Sequence, residues 1–212
     1  MASASAIPKN KWAEIGELYK SGLPMRAVAE QHKVSIDAVT YILRKTGVSR
    51  RTLSEASRIS FESKKPSFSL RKVRPPRALE IDLIGAMLYW AEGYKTEKAS
   101  GVDFANSDPN MVELFMRFLR ERYALDSKRL YCQIYYYADQ DIDAITRFWS
   151  KKLALTPRSF RYPYRNHKVK AGSKQLQYGV VHIRYNDKKL LRDVLNLVES
   201  YRQKYCVGGG VV

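Results

Sequence analysis

The most continuous run of apolar residues spans positions 81–91, where Asp82 is the only charged residue. A helix that is apolar on every side is buried, and this run is far too short to span a bilayer. At 3.6 residues per turn, one stripe of such a helix holds Ile81, Gly85, Leu88 and Glu92. The pattern predicts a core helix over residues 81–92, and the small Gly85 on its stripe would let a second helix approach closely.

Strand and helix patterns alternate after this helix. Asp108 and Pro109 are a natural N-cap and first residue for a helix that runs to Tyr123. The hydrophobic pattern further predicts strands at 101–105, 129–137 and 178–185, and helices at 141–153 and 190–201. We therefore expect an α+β fold with a mixed or antiparallel sheet in this part of the chain.

The N-terminal region predicts three short helices. Their apolar stripes hold, in chain order, Trp12, Ile15, Leu18 and Tyr19, then Val28 and Ala29, then Ala38, Val39, Ile42 and Leu43. The segment 21–24 ends the first helix and starts the second, and Ser35 is the natural N-cap of the third. We expect a small helical domain over residues 1–59.

Residues 60–78 separate the two regions. This stretch combines prolines with a dense series of lysines and arginines, which favours an extended basic linker over a packed element. The predicted organisation is a helical domain at 1–59, a linker at 60–78, an α+β domain at 79–206 and a disordered tail at 207–212.

Composition narrows the class of partner. The chain has 38 Lys and Arg against 21 Asp and Glu, a net charge of +17 over 212 residues, and so strong an imbalance favours nucleic acid. We find no basic amphipathic helix, lipidation motif or signal peptide, so we expect no membrane partner and a cytoplasmic, nucleoid-associated protein. Two cysteines are too few for a disulfide framework or a structural zinc site. The chain has no glycine-rich phosphate loop, so we expect no nucleotide cofactor.

The N-terminal spacing resembles the helix-turn-helix of small resolvase-like DNA-binding domains. Ala29, Val39 and Ile42 occupy the positions that let two helices cross closely and seal them, although Lys33 stands where the pattern usually has Gly. The resemblance implies binding to double-stranded DNA through the third helix, and the flanking charge extends the surface. Asp37 also lies on that helix, but it suits the first helical turn for dipole reasons alone. The DNA-binding candidates here are Ser35, Thr40, Tyr41, Arg44, Lys45, Arg50, Arg51, Lys64, Lys65, Arg71, Lys72 and Arg74.

A second basic stretch lies at residues 158–174, where aromatic residues interleave with cations and no acid occurs. Cations supply phosphate contacts and aromatics pack on sugars or bases, so we expect a DNA-facing hairpin or loop. The alternative is a hairpin anchored by its aromatics with a solvated basic face. Its DNA-binding candidates are Arg158, Arg161, Arg165, Lys168 and Lys170.

The motif L-x-G-x-x-x-Y-x-x-E-G at residues 83–93, followed by a strand and N-S-D-P at 106–109, resembles the LAGLIDADG-type homing endonucleases over residues 79–203. The resemblance implies a Mg²⁺-dependent DNA endonuclease in which Glu92 of two chains binds the metal and Lys95 or Lys98 stabilises charge near the scissile phosphate. It also implies a homodimer through Ile81, Gly85 and Leu88. Two departures stand out: the motif glycine lies seven positions before the acid instead of five, and a helix is inserted at 141–153.

Three alternatives remain open from the residues themselves. Glu92 can be a solvated acid at the end of a core helix, with Gly93 as its left-handed stop. The protein can be a DNA-binding transcriptional regulator that retains the endonuclease fold without cutting. It can also bind RNA through the aromatic residues of 131–137. The acids at 139, 141 and 143 could suggest a metal site, but a helix start attracts acids for dipole reasons.

Overall fold

The computed structural model describes residues 7–96, 98–167 and 176–206. The chain divides into two units, Met1–Lys65 and Pro66–Val212, and the boundary falls inside the predicted linker. Each unit has its own hydrophobic core.

The first unit contains four α-helices among its described residues. They are α1 (Trp12–Lys20), α2 (Met25–Gln31), α3 (Ile36–Lys45) and α4 (Leu53–Ser63), with a short 3-10 turn at Lys9–Lys11 before α1. The three predicted helices are confirmed, and the fourth was missed. Its signal is a capping box, since the Thr52 hydroxyl accepts from Glu55 N and the Glu55 carboxylate accepts from Thr52 N.

The turn between α2 and α3 brings the two helices into contact at the predicted positions. Ala29, Val39 and Ile42 are all buried in the core of this unit. Lys33 has φ 55°, so a residue with a Cβ adopts the left-handed conformation that glycine would take at lower cost. The unusual Lys33 therefore leaves the turn itself intact.

The second unit is α+β, as expected. Its helices are α5 (Ala78–Glu92), α6 (Pro109–Arg122), α7 (Ile142–Leu153) and α8 (Lys188–Cys206), and its strands are β1 (Phe68–Leu70), β2 (Val102–Asn106), β3 (Tyr123–Leu125), β4 (Leu130–Tyr137), β5 (Tyr164–Asn166) and β6 (Val180–Tyr185). Asp108 caps α6 by accepting hydrogen bonds from Asn110 N and Met111 N, and Pro109 is the first helical residue, as predicted.

The main sheet has the order β2-β6-β4-β5. The β2–β6 and β6–β4 pairs are antiparallel, whereas β4 and β5 are parallel. Parallel strands cannot be joined by a tight hairpin, so the chain needs a crossover between β4 and β5. The inserted helix α7 lies in that crossover, so the parallel pairing of β4 with β5 explains why the helix is there.

The two faces of the sheet differ. The inner face packs on the helices through Val102, Phe104, Cys132, Ile134, Val181, Ile183 and Tyr185, all of which are buried in one core. The alternate residues form what we call the outer sheet face, namely Asp103, Tyr131, Gln133, Tyr135, His182 and Arg184. This strict alternation follows from the two-residue period of a strand.

The glycine of the apolar helix is used within the chain. Gly85 lies so close to α6 that a Cβ added there would overlap the Phe118 ring. The second helix that we expected is therefore α6 of the same chain, and Ile81 and Gly85 are buried in its core. The prediction that Ile81 and Gly85 form a dimer interface is therefore wrong, because both face the core of their own chain. Leu88, the third predicted interface residue, is partly buried against the same core. The exposed apolar side of α5 carries Leu79, Ile84 and Trp90 instead.

The end of α5 also differs from the expectation. Gly93 has φ −77° and ψ 148°, so it is extended and is not a left-handed stop. It is needed for space, because a Cβ would overlap the Tyr89 ring. Its backbone pairs with Phe104, and Tyr94 N donates to Asp103 O at 2.8 Å, so the chain passes from α5 directly to the edge of the sheet.

Residues 66–77 are integrated into the second unit, which corrects the prediction of an extended linker. Strand β1 pairs with β3, and Asp187 Oδ2 accepts hydrogen bonds from Ser67 N at 2.8 Å and Ser67 Oγ at 2.6 Å. Part of the charge of this segment is used within the fold, since Arg74 is half-buried, whereas Lys72 and Arg77 are exposed.

Arg74 is the clearest case of that internal use. Asp82 on α5 is 2% exposed and lies between two guanidinium groups, with Arg74 Nη2 at 2.6 Å and Arg122 Nη1 at 2.5 Å. Such a buried carboxylate requires paired cations. Arg74, predicted to bind DNA, therefore anchors the segment before α5 to the core.

Among the residues that the structure describes, no helix combines the length and the apolarity needed to cross a membrane.

Candidate nucleic-acid interface

Helix α3 presents a polar face to solvent in the first unit. Its buried stripe consists of Ala38, Val39, Ile42 and Leu43, so the opposite face carries Ile36, Asp37, Thr40, Tyr41, Arg44 and Lys45. The Tyr41 ring lies 5.7 Å from both the Arg44 guanidinium carbon and the Lys45 ammonium nitrogen. Two cations and an aromatic ring are thus grouped at the C-terminal half of this helix.

Two candidates on α3 already have local partners. The Ser35 hydroxyl accepts from Ala38 N at 3.1 Å, which makes it the N-cap, and Thr40 Oγ1 donates to Ile36 O at 3.0 Å. Both hydroxyls have structural roles, so the cations beside Tyr41 are the stronger candidates for contact with a polyanion.

Arg51 and Arg71 were predicted to bind DNA, but the structure gives them structural roles. Arg51 stacks its guanidinium 4.0 Å from the Tyr19 ring centre and donates to Gly22 O and Leu23 O. Arg71 donates to Arg120 O at 2.7 Å, near the end of α6. Each arginine satisfies backbone carbonyls at a chain turn, which sequence alone could not distinguish from a free cation. The other DNA-binding candidates between α3 and α5 are exposed, namely Arg50, Lys64, Lys65 and Lys72.

Glu92 is exposed at the last position of α5. Among the described residues, no group of three or more His, Cys, Asp or Glu side chains comes together as a metal site. Glu92 is therefore not part of such a group, and a divalent cation bound there needs further oxygen ligands from a second copy, from water or from a phosphate.

Lys95 and Lys98 differ in their surroundings. Lys95 Nζ donates to Trp90 O at 2.7 Å, so it is turned back on the end of α5. Lys98 lines a cavity of about 240 Å³ together with Tyr94, Asp103, Tyr131 and Arg184. Of the two lysines, Lys98 is the one that shares a cavity with other polar groups.

Asp103 organises the outer sheet face. Its Oδ2 accepts from Arg184 Nε at 2.9 Å, and its Oδ1 lies 2.8 Å from Nδ1 of His182. Burial lowers the pKa of Arg184, but the neighbouring Asp103 and Tyr131 outweigh it, so the pKa lies above the ordinary guanidinium value. Arg184 therefore stays charged on this face, and the single acid holds two nitrogen-bearing side chains in place.

Two pairs of tyrosines flank this polar centre. Tyr131 meets Tyr162 edge-on with ring centres 6.5 Å apart, and Tyr135 lies 5.0 Å from Tyr164. The Tyr135 ring also stacks on His182 at 4.4 Å. The outer sheet face thus continues onto β5 and the loop before it as one polar and aromatic surface.

The second basic stretch supplies the cations at this edge. Arg158 and Arg161 are exposed, and Arg161 lies 5.6 Å from the Tyr131 ring centre. Arg165 is also exposed, but it pairs in register with Tyr136, on the face opposite to the Tyr135–Tyr164 pair, and its Nη2 donates to Ala138 O at 2.7 Å. The described part of the stretch consists of a 3-10 turn at Pro157–Ser159 and strand β5. Lys168 and Lys170, the other two candidates, lie outside the described residues.

Sequence reasoning missed Asp103, Gln133, His182 and Arg184 as surface residues of a site. The signal was present in the alternation of β6, where Val181, Ile183 and Tyr185 point inward and leave His182 and Arg184 on the opposite face. What the pattern could not supply was the strand order that places Asp103 beside both of them.

Two of the three acids near the start of α7, Asp141 and Asp143, serve the helix, and Asp143 lies in its first turn. Asp141 accepts hydrogen bonds from Asp143 N at 2.9 Å and from Ala144 N at 3.1 Å, so it is the N-cap. The positive end of the helix dipole and its unpaired amides explain the acids at these two positions.

Comparison of the chain with protein-family models, with curated proteins and with solved structures produced no match in any of the three.

Proposed function

We propose that this protein binds double-stranded DNA in a sequence-specific manner through α3. The observation that carries the proposal is the exposed face of α3, which groups Tyr41, Arg44 and Lys45 on a helix that crosses α2 after a four-residue turn. A helix of this kind fits the major groove, where cations contact phosphates and polar side chains read base edges. The net charge of +17 supports a polyanionic partner.

A test of DNA binding compares Arg44→Gln with Lys20→Gln in the full chain. Lys20 is an exposed cation at the end of α1 that already pairs with Glu17 at 2.9 Å, which makes it a matched control. After selection of a preferred duplex, affinity is measured against salt. Loss of one phosphate contact at Arg44 lowers the slope of log K against log salt by about 0.9, while the control leaves it unchanged. Equal slopes for Arg44→Gln and wild type, with unchanged base preference, would remove α3 from the interface.

Cleavage of the bound duplex is the second part of the proposal. Its support is the exposed position of Glu92 at the end of α5, together with the exposed apolar residues Leu79, Ile84 and Trp90 on the same helix. A second copy that covers this apolar side brings a second Glu92 into the assembly, and exposed apolar patches of this kind favour self-association. Mg²⁺ held by the carboxylates would lower the pKa of an attacking water.

The dimer and the cleavage step have separate tests. Trp90→Glu places a charge on the exposed side of α5 and should dissociate a dimer in sedimentation, whereas Leu70→Glu, at an exposed apolar position on β1, should not. Glu92→Gln should abolish Mg²⁺-dependent nicking of the selected duplex and leave its affinity nearly unchanged. A tightly bound duplex that stays intact with Mg²⁺ and with Mn²⁺ would support the alternative, a DNA-binding regulator without catalytic activity.

A further inference from the structure

Tyr162 combines backbone strain with exposure. It has φ 54°, and a bulky side chain is rarely found in this left-handed region. Its side chain is 75% exposed, so the strained backbone directs an aromatic ring into solvent. Strain of this kind persists where the surrounding structure holds it in place, and it concentrates at functional positions.

The structure holds this loop by specific contacts with β4. Gln133 Nε2 donates to Tyr162 O at 2.6 Å, and Arg161 N donates to Cys132 O at 2.8 Å. These bonds fix the backbone on both sides of the strained residue. The exposed ring is therefore a positioned feature of the fold.

Tyr162 is one of four tyrosines that lie in two pairs along β4. The pair Tyr131–Tyr162 and the pair Tyr135–Tyr164 are separated by four residues of β4, or about 13 Å. Gln133 lies between them on the same face, and its partner across the strands is His182. Along β4, this surface therefore presents one aromatic pair, then the polar residues Gln133 and His182, and then the second aromatic pair.

We propose that these two tyrosine pairs are a stacking platform for the unpaired bases of single-stranded nucleic acid. Bases in a duplex are stacked on each other and present only their edges, whereas unpaired bases expose the flat faces that tyrosine rings contact. Arg161, whose guanidinium carbon lies 5.6 Å from the Tyr131 ring centre, supplies a phosphate contact beside the rings. This ligand differs from the duplex bound by α3, so the inference goes beyond the proposed function.

Charge separates this ligand from other partners of exposed aromatic rings. Neutral sugars and apolar peptide segments also stack on tyrosines, but neither requires neighbouring cations. The platform has Arg161 beside it, 5.6 Å from the Tyr131 ring centre, and the acid of the outer sheet face, Asp103, is paired with Arg184 at 2.9 Å. A polyanion with flat rings satisfies both features.

The experiment uses the full chain and three labelled ligands: a single-stranded DNA, an RNA of the same sequence and a hairpin duplex of the same length. The variants are Tyr162→Ala and Tyr164→Ala, with the corresponding Phe changes, which keep the rings. Tyr205→Ala is the matched control, because Tyr205 is 60% exposed on α8 and lies 5.1 Å from a cation at Lys204. The DNA and RNA arms show which sugar the platform accepts.

Each Ala change should weaken single-strand binding by about 5- to 150-fold, since one base–aromatic stack is lost. The Phe changes and Tyr205→Ala should leave it unchanged, and duplex binding should not respond to any of them. Equal loss on single strand and duplex, no loss on either single strand, or an equal loss for the control would each overturn the inference. Loss of duplex binding in the Arg44→Gln test does not affect this result, so the two proposals fail separately.

Tyr162→Gly tests whether the tyrosine is needed for the fold instead of for ligand binding. Glycine adopts the left-handed conformation without steric cost, so this variant should melt at or above the wild-type temperature while it loses single-strand affinity. A lower melting temperature together with unchanged affinity would show that the tyrosine serves the fold, and would overturn the proposal.

Discussion

Replacing Asp82 by Ala tests how the segment before α5 is held. The change removes the carboxylate that both Arg74 and Arg122 contact, and the two guanidinium groups keep only 20% and 16% of their side-chain surface exposed. Without Asp82, two positive charges share a largely buried site with no acid between them.

The expected loss can be worked out from this geometry. Removing one partner of a buried ion pair costs about 3–5 kcal/mol, because the other charge is left uncompensated. We expect the lower end, about 3 kcal/mol, since the arginines retain some solvent contact. Asp193 also lies 3.8 Å from Arg122 and partly replaces the lost charge. For a domain of this size the melting temperature should fall by roughly 6–12 °C.

The assay is urea and thermal unfolding followed by tryptophan fluorescence, because Trp149 is fully buried in the core of the second unit. Glu80→Ala is the control, as it removes an exposed acid from the first turn of the same helix. That control should cost no more than about 1 kcal/mol, the usual size of an exposed helix-dipole contribution.

Arg74→Met distinguishes the structural role from the DNA-binding role that the sequence predicted. It leaves Asp82 paired with Arg122, so we expect a smaller loss of about 1.5–3 kcal/mol, and an unchanged salt dependence of DNA binding. A wild-type stability together with a reduced salt slope would refute the reasoning and return Arg74 to the DNA surface. A loss below about 1 kcal/mol for Asp82→Ala would refute the importance of the buried pairing.

Three further outcomes follow from single positions. Lys33→Gly should raise the stability of the first unit by about 0.5–1 kcal/mol in thermal unfolding, because the left-handed turn no longer bears a Cβ, whereas Lys33→Ala should gain nothing. Gly85→Leu should destabilise the second unit by overlap with Phe118, and a variant that instead kept wild-type melting and only changed sedimentation would contradict the packing. Burial raises the pKa of Asp187, but hydrogen bonds from Ser67 outweigh it and hold the pKa below the ordinary value. The stability it contributes is therefore full above the ordinary carboxylate range and is lost as pH falls through the lowered pKa, and Asp187→Asn should flatten that acid limb in pH-dependent melting.

Local signals in the sequence were enough for most elements of the fold. Asp108 and Pro109 mark the start of α6, and the structure uses both as cap and first residue. The buried stripe of α3 follows from its period of 3.6, and with it the exposed face that carries Tyr41 and Arg44. These features depend on neighbours within one helical turn, so a single sequence contains the information.

Pairing between distant segments was decided only by the tertiary structure. The sequence presents Arg74 and Arg44 as equivalent cations in one basic region. In the structure, Arg74 forms an ion pair with Asp82, because β1 pairs with β3 and places that segment against α6. In the same way, the small Gly85 indicates close approach of a helix but not whether that helix belongs to the same chain.

The outer sheet face also combines features that the sequence shows with features that only the tertiary structure shows. Alternation within β6 places His182 and Arg184 on one side of a strand, which sequence reasoning can read. Their shared contact with Asp103 requires the pairing of β2 with β6, and the tyrosine pairs require the parallel pairing of β5 with β4. The sequence alone therefore determined the periodic elements, the excess positive charge and the exposed face of α3. Strand order and long-range ion pairs decided which cations are free and which side chains form one surface, because those depend on contacts between residues far apart in the chain.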